Sequence, residues 1–149
     1  TLADTEDLAY MRWSFDLEDA NDTTVLQEVA GFAEAFAEFL QSALASGRWT
    51  VWVAEMNGRL LAHMYVQFVD KVPRPGRLAA RWGYVTNVYV EPTSRNRGIG
   101  SRLLRQVIDW ARNERLQMLI LWPSDRSLTF YERAGCVRSP DALELHLDS

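Results

Sequence analysis

Cysteine occurs once in this 149-residue chain, at Cys136, which excludes an internal disulfide and any multi-cysteine metal site. Histidine occurs twice, at His63 and His146, which argues against a zinc site, and no metal is expected. Lysine occurs once, at Lys71; fifteen arginines carry the rest of the positive charge. No apolar run approaches the ~20 residues that a membrane span needs, and no signal-peptide pattern opens the chain, so a cytosolic protein is expected. A net charge of −4 lacks the basic footprint of a nucleic-acid binder. The first residue is Thr, and an opening strand could be missing before it.

What the chain does have is apolar mass. Nearly half of it (48%) is hydrophobic and six residues are Trp, enough for one packed domain over residues 1–149. Charge is unevenly spread: residues 1–45 hold ten acids and one base, Arg12, while residues 46–149 hold fifteen bases and ten acids. Chemistry that faces an anion is therefore expected after the amino-terminal part.

Hydrophobic spacing predicts a first helix over Leu8–Phe15 and a longer one from about Thr24 to Ala45, capped by Thr23 or Thr24 with Glu28 in its first turns. Residues 50–55 and 59–69 flank Asn57-Gly58, a pair that favours a tight hairpin turn. A Pro- and Arg-rich loop, DKVPRPGRLAARWG, separates that hairpin from a strand YVTNVYV closed by Glu91-Pro92. A helix is expected from Gly98 to Glu114, then a strand LQMLILW covered on both faces, a short helix ending at Gly135, and a last alternating strand ALELHLD. The helix between YVTNVYV and LQMLILW implies a right-handed crossover between parallel strands, whereas the hairpin implies antiparallel ones.

The junction VEPTSRNRGIGSRLL carries the strongest chemical signal. A helix amino terminus has unpaired N–H groups and partial positive charge. Gly98 and Gly100 keep Cβ atoms away from that backbone, while Arg95, Arg97 and Arg102 add attraction for phosphate oxygens. The stretch reads as a phosphate or pyrophosphate cradle; read blandly, it is a glycine-softened turn with solvated arginines. No Gly-Lys-Ser/Thr follows it, and it does not match the dinucleotide fingerprint.

Arg95-Asn96-Arg97-Gly98-Ile99-Gly100 resembles the Arg/Gln-x-x-Gly-x-Gly/Ala signature of the GNAT family of acyl-CoA-dependent N-acetyltransferases. SDRSLTFYERAGC is similar to that family's later Asn-x-x-Ala-x-x-Phe-Tyr-x-x-x-Gly-Phe segment, and the detailed likeness covers roughly residues 84–137. The resemblance implies a mixed, mostly antiparallel central sheet flanked by helices, with one β-α-β crossover at the cofactor site. It implies acetyl-CoA as cofactor, its pyrophosphate held by main-chain N–H groups from Arg95 through Asn96, Arg97, Gly98, Ile99 and Gly100 to Ser101. The backbone of Val88 and Val90 would pair with the pantetheine arm, and the Val88 N–H would stabilise the oxyanion developing on the thioester. Ser124 falls where the family has Asn, and Ser127 where it has Ala; both are expected at the cofactor.

The implied reaction is direct transfer of an acetyl group to a primary amine of a small molecule or peptide in a ternary complex. Tyr131 takes the family's Tyr position and would protonate the departing sulfur. Where many members carry a strand Glu, this chain has Thr86-Asn87, so the base stays open among Glu55, Asp70, Glu91, His63 and water. That missing carboxylate leaves a second reading, a non-catalytic acyl-CoA sensor. Cys136 is read as a small buried residue rather than an acyl carrier. For the acceptor, Arg74, Arg77 and Arg81 in the long loop could border its cleft and bind an anionic group, but solvated arginines or a subunit contact are the favoured reading. The acids Glu18, Asp19, Asp22, Glu28, Glu34 and Glu38 could instead attract a basic one, and a solvated helical surface explains them equally well. A homodimer would suit the aromatic surface.

Overall fold

A computed structural model describes residues 2–19 and 29–147. Helix α1 (Thr5–Asp19) follows a 3₁₀ turn, and α2 (Val29–Ser46) leads into the sheet. The sheet comprises β1 (Trp49–Met56), β2 (Arg59–Asp70), β3 (Arg81–Val90) and β4 (Leu119–Ile120), in the order β1-β2-β3-β4. Helix α3 (Ile99–Asn113) joins β3 to β4, and α4 (Leu128–Arg133) follows β4. The first two strand pairs are antiparallel and the last is parallel, as the hairpin and the crossover require.

Asn57 and Gly58 both adopt positive φ, 53° and 76°, the backbone of the tight turn that their sequence favours. Beyond it, β2 alternates between two layers. Tyr65 joins Leu8, Met11, Phe36 and Leu40 under α1 and α2, whereas Ala62, Met64 and Val66 face Leu103, Leu104 and Val107 of α3. Each large apolar side chain so buried contributes roughly 1.5–3 kcal/mol. β2 is thus the central plank of both cores, which explains why the run from Leu60 to Val66 is buried without a break.

Several expectations need correction. Helix α1 extends well beyond Leu8–Phe15 at both ends. The expected cap of α2 at Thr23 or Thr24, with Glu28, lies outside the described residues. LQMLILW is not a strand covered on both faces: only Leu119 and Ile120 pair with β3, and Met118 and Trp122 are exposed. The cause is divergence, since β4 leaves β3 after two pairs, Gly83 with Leu119 and Tyr84 with Ile120. The final alternating strand does not form over residues 142–147, where Leu143, Leu145 and Leu147 face solvent with no strand alongside. Alternation announces a strand only where a partner edge receives it.

Candidate functional site

The divergence of β4 leaves the outer edge of β3 beyond Tyr84 without a strand partner among the described residues, and a cleft of 970 Å³ opens there. One wall is β3 from Tyr84 to Val90; the other is the chain from Leu121 to Ser124 with Ser127, Phe130 and Tyr131 of the α4 region. The amino terminus of α3 closes one end, through Gly98, Ile99, Gly100 and Ser101. Arg12, Phe15 and Glu18 of α1 reach the cleft from the other face of the sheet.

Gly98 caps α3 at φ 75° without any side-chain cap bond, and Arg102 N–H donates the first bond back to Gly98 O at 3.0 Å. The N–H groups ahead of it in the first turn have no intrahelical acceptor. A Cβ on Gly100 would come 3.2 Å from Val90 Cγ2 and 3.5 Å from the Phe130 ring, so a glycine is what lets the helix end sit this close to β3. A free edge of β3 running into a bare helix terminus suits a long ligand with amide groups at one end and phosphates at the other.

Not every cradle residue faces that ligand path. Arg97 is exposed and outside the lining. Arg95 N–H donates to Pro92 O at 3.3 Å, and its side chain is tied down as well: Nε donates to Val90 O at 2.8 Å and Nη2 to Glu18 Oε2 at 2.7 Å. Arg95 therefore braces the turn against α1. Asn96 lines the cleft at φ 61°. Ser124 and Ser127 lie together in the opposite wall, their hydroxyls 3.0 Å apart.

Tyr131 is buried, stacked edge-on to Phe130 at 5.0 Å, and forms part of the lining. Burial, with a smaller contribution from Cys136, pushes its pKa up to about 12. The phenol stays protonated at neutral pH and is a donor, not a base. The Cys136 thiol is itself pushed up by burial, which suppresses the thiolate an acyl carrier would need.

None of the side chains weighed as a base lines the cleft. Glu55 is exposed on β1, and Asp70 faces Arg48 at 3.7 Å. Glu91 is paired with Arg59. His63 is fully buried behind β3, and desolvation lowers its pKa to about 4. Glu18 is the carboxylate that does line the cleft among the described residues. Burial raises its pKa, but the bonds from Arg95 and the Tyr89 hydroxyl outweigh that and leave it lowered. It is a fixed negative charge rather than a proton acceptor.

The loop with Arg74 and Arg77 does not border the cleft, so of its two readings the acceptor-binding one is not met. It joins β2 to the start of β3, whereas the cleft lies along the far half of β3; Arg81 there faces Glu114 at 3.8 Å. Of the amino-terminal acids, Glu34 and Glu38 are exposed on α2. Asp22 and Glu28 lie outside the described residues, as does the Asp19 side chain.

One local feature escaped the sequence reading. The pairing of β2 with β3 shifts between His63 and Tyr65, so that Asn87 and Val88 have no opposite residue, and Asn87 adopts φ 49°. This is a β-bulge. Its trace in the sequence is phase: Val85 and Val88 stand an odd number apart, yet both pack on the α3 side. An uninterrupted strand would place them on opposite faces.

The Acetyltransferase (GNAT) family model matches residues 9–136. The chain belongs to the GNAT family. A GNAT relative in Trypanosoma brucei brucei, glucosamine 6-phosphate N-acetyltransferase, is 29% identical over 85 residues. That match spans 57% of this chain and 56% of the relative, little more than half of each. Among solved GNAT-like structures, a predicted acetyltransferase from Clostridium acetobutylicum, determined with acetyl-CoA, superposes with a TM-score of 0.81 at 24% identity, covering 99% of this chain and 92% of that one. A GCN5-related N-acetyltransferase from Ralstonia eutropha gives 0.76 at 24% identity, covering 99% and 95%. These superpositions establish the GNAT architecture of the mixed sheet and its flanking helices.

Proposed function

We propose that this chain is a single-domain N-acetyltransferase that moves an acetyl group from acetyl-CoA to a primary amine while both are bound. The observation that carries the reading is the free edge of β3 leading into the uncapped, glycine-lined terminus of α3, with Tyr131 across the cleft. Family membership supports it, as do the names of the trypanosomal relative and of the Clostridium structure.

In this reading the N–H groups of Asn96 and of residues 98–101 hold the pyrophosphate, and Ser124 and Ser127 add hydroxyl contacts from the facing wall. The main chain of Val88 and Val90 pairs with the pantetheine arm. The bound cofactor supplies a thioester carbonyl for the amine to attack. The Val88 N–H offers that carbonyl oxygen a hydrogen bond, and the Tyr131 hydroxyl gives its proton to the departing sulfur. The amine's proton leaves through water, which also returns a proton to Tyr131, because no side chain among the described residues at the cleft is fit to take it. The acceptor enters beside Arg12, Phe15 and Glu18, and amino sugar phosphates belong in the first panel of amines. Cytosolic location belongs to the same reading, and no helix among the described residues is long and apolar enough to cross a membrane. So does a homodimer, supported by the exposed Leu143, Leu145 and Leu147; light scattering tests it. The sensor alternative is not favoured, since it gives a buried, protonated Tyr131 in the wall nothing to do.

Calorimetric titration with acetyl-CoA, beside a Gly98→Glu/Gly100→Glu variant, is the test. Binding by the wild type that the folded variant loses is the expected result. A folded wild type without binding overturns the reading.

A further inference from the structure

His63 is an odd choice for the centre of a core. It is fully buried, packed edge-on to Tyr65 at 5.3 Å and beside Tyr89 at 5.8 Å, and its Nε2 has no hydrogen-bond partner among the described residues. A leucine or phenylalanine would fill the space without leaving a buried nitrogen unsatisfied. What the imidazole has that they lack is Nδ1, which lies 2.7 Å from the backbone oxygen of Asn87. A carbonyl can only accept, so Nδ1 carries the proton and the bare Nε2 is the orphan.

Asn87 is the left-handed residue of the β3 bulge, and neither it nor Val88 has an opposite residue in β2. Its carbonyl is turned out of the ladder, and the His63 side chain supplies the donor that the β2 main chain does not. Arg12 holds the same residue from α1, its Nη1 donating to Asn87 Oδ1 at 3.2 Å. No peptide in the described chain is cis. In a trans peptide the C=O and the following N–H point in opposite directions. The carbonyl that reaches His63 lies on the α1 side of the sheet, so the N–H at the other end of that peptide, belonging to Val88, turns away toward the side framed by α3 and α4. Val88 lines the cleft there.

We propose that His63 is a positioning residue: by binding the Asn87 carbonyl it fixes the Asn87–Val88 peptide and so aims the Val88 N–H into the cleft. The inference rests on the acetyl-transfer reading for its catalytic meaning. A peptide free to rotate would swing a carbonyl oxygen toward the place where a donor is needed. His63 touches no ligand; it holds the orientation of a backbone group that does.

Three proteins test this: wild type, His63→Leu, which fills the site without a donor, and His63→Asn, whose amide NH₂ falls near the place of Nδ1. In the free proteins, the Asn87 carbonyl-carbon and Val88 amide resonances should move in His63→Leu and stay near wild type in His63→Asn. On titration with acetyl-CoA, the Val88 amide should respond in wild type and His63→Asn but not in His63→Leu, while Gly98 and Gly100 respond in all three. With an amine that the wild type turns over, kcat should fall roughly 10²–10³-fold in His63→Leu, the range for losing one such donor. The KM for acetyl-CoA should stay within about threefold, and His63→Asn should recover most of the rate; a general loss of packing would move both constants and would not be rescued. Unchanged Val88 behaviour and rate in a folded His63→Leu overturns the proposal, as does an equal loss in both variants. A wild type in which none of the three amides responds to acetyl-CoA overturns the acetyl-donor reading instead, and the free-protein resonances then decide the peptide lock alone.

Discussion

Burial lowers the His63 pKa from 6.5 to about 4; its bond to Asn87 pulls upward, and Arg12 adds to the fall. Between those two values the unfolded chain binds a proton that the folded chain refuses, so stability falls as pH drops through the window and is flat above it. At about 1.4 kcal/mol per pH unit, the loss approaches roughly 3 kcal/mol. Thermal midpoints measured from pH 7 down to 4.5 should therefore fall more steeply in wild type than in His63→Asn, and the difference between the curves isolates this one group. Tyr131 gives a second expectation. Tyr131→Phe removes the hydroxyl proposed as proton donor but keeps the ring against Phe130, so on that proposal kcat should drop about 10²–10⁴-fold while calorimetry shows acetyl-CoA still bound. These two residues were unequally legible. Tyr131, Gly98 and Gly100 sit in short local patterns that a reader can match. The His63–Asn87 bond joins residues 24 apart through a register that an extra residue has shifted, and no local pattern encodes it.

The elements divide in the same way. Asn57-Gly58 and the apolar stripe of α3 were plain because turn and helix are decided within a few residues. β4 was not, because its length depends on how far β3 accompanies it. Gly83 sits where the two strands still touch: a Cβ there would lie 2.6 Å from Leu119 Cδ2, with Val66 and Leu116 side chains at 3.1 and 3.2 Å. Gly83→Ala should destabilise the fold by about 1–3 kcal/mol through overpacking, read from denaturant unfolding. It should also weaken acetyl-CoA binding, although Gly83 lines no part of the cleft, because it forces apart the strands whose divergence defines the cleft. Unchanged affinity would show that the cleft's width is set elsewhere.

At the scale of the molecule, the order of elements as far as α4 and the mixed sheet followed from periodicity and one crossover, whereas the expected last strand did not form. The cleft's composition did not, since Arg12, Phe15 and Glu18 come from a helix more than sixty residues away from the motifs. Glu18 has a further consequence. Its carboxylate receives Arg95, which also holds Val90 O and stands in the turn before α3, and the Tyr89 hydroxyl at 2.9 Å. One guanidinium thus joins the helix where an amine would arrive to the turn where a nucleotide would rest. Any ligand that shifts α1 must then change the free energy of the cradle, and reciprocity makes the effect mutual: each substrate alters the other's affinity by the same factor.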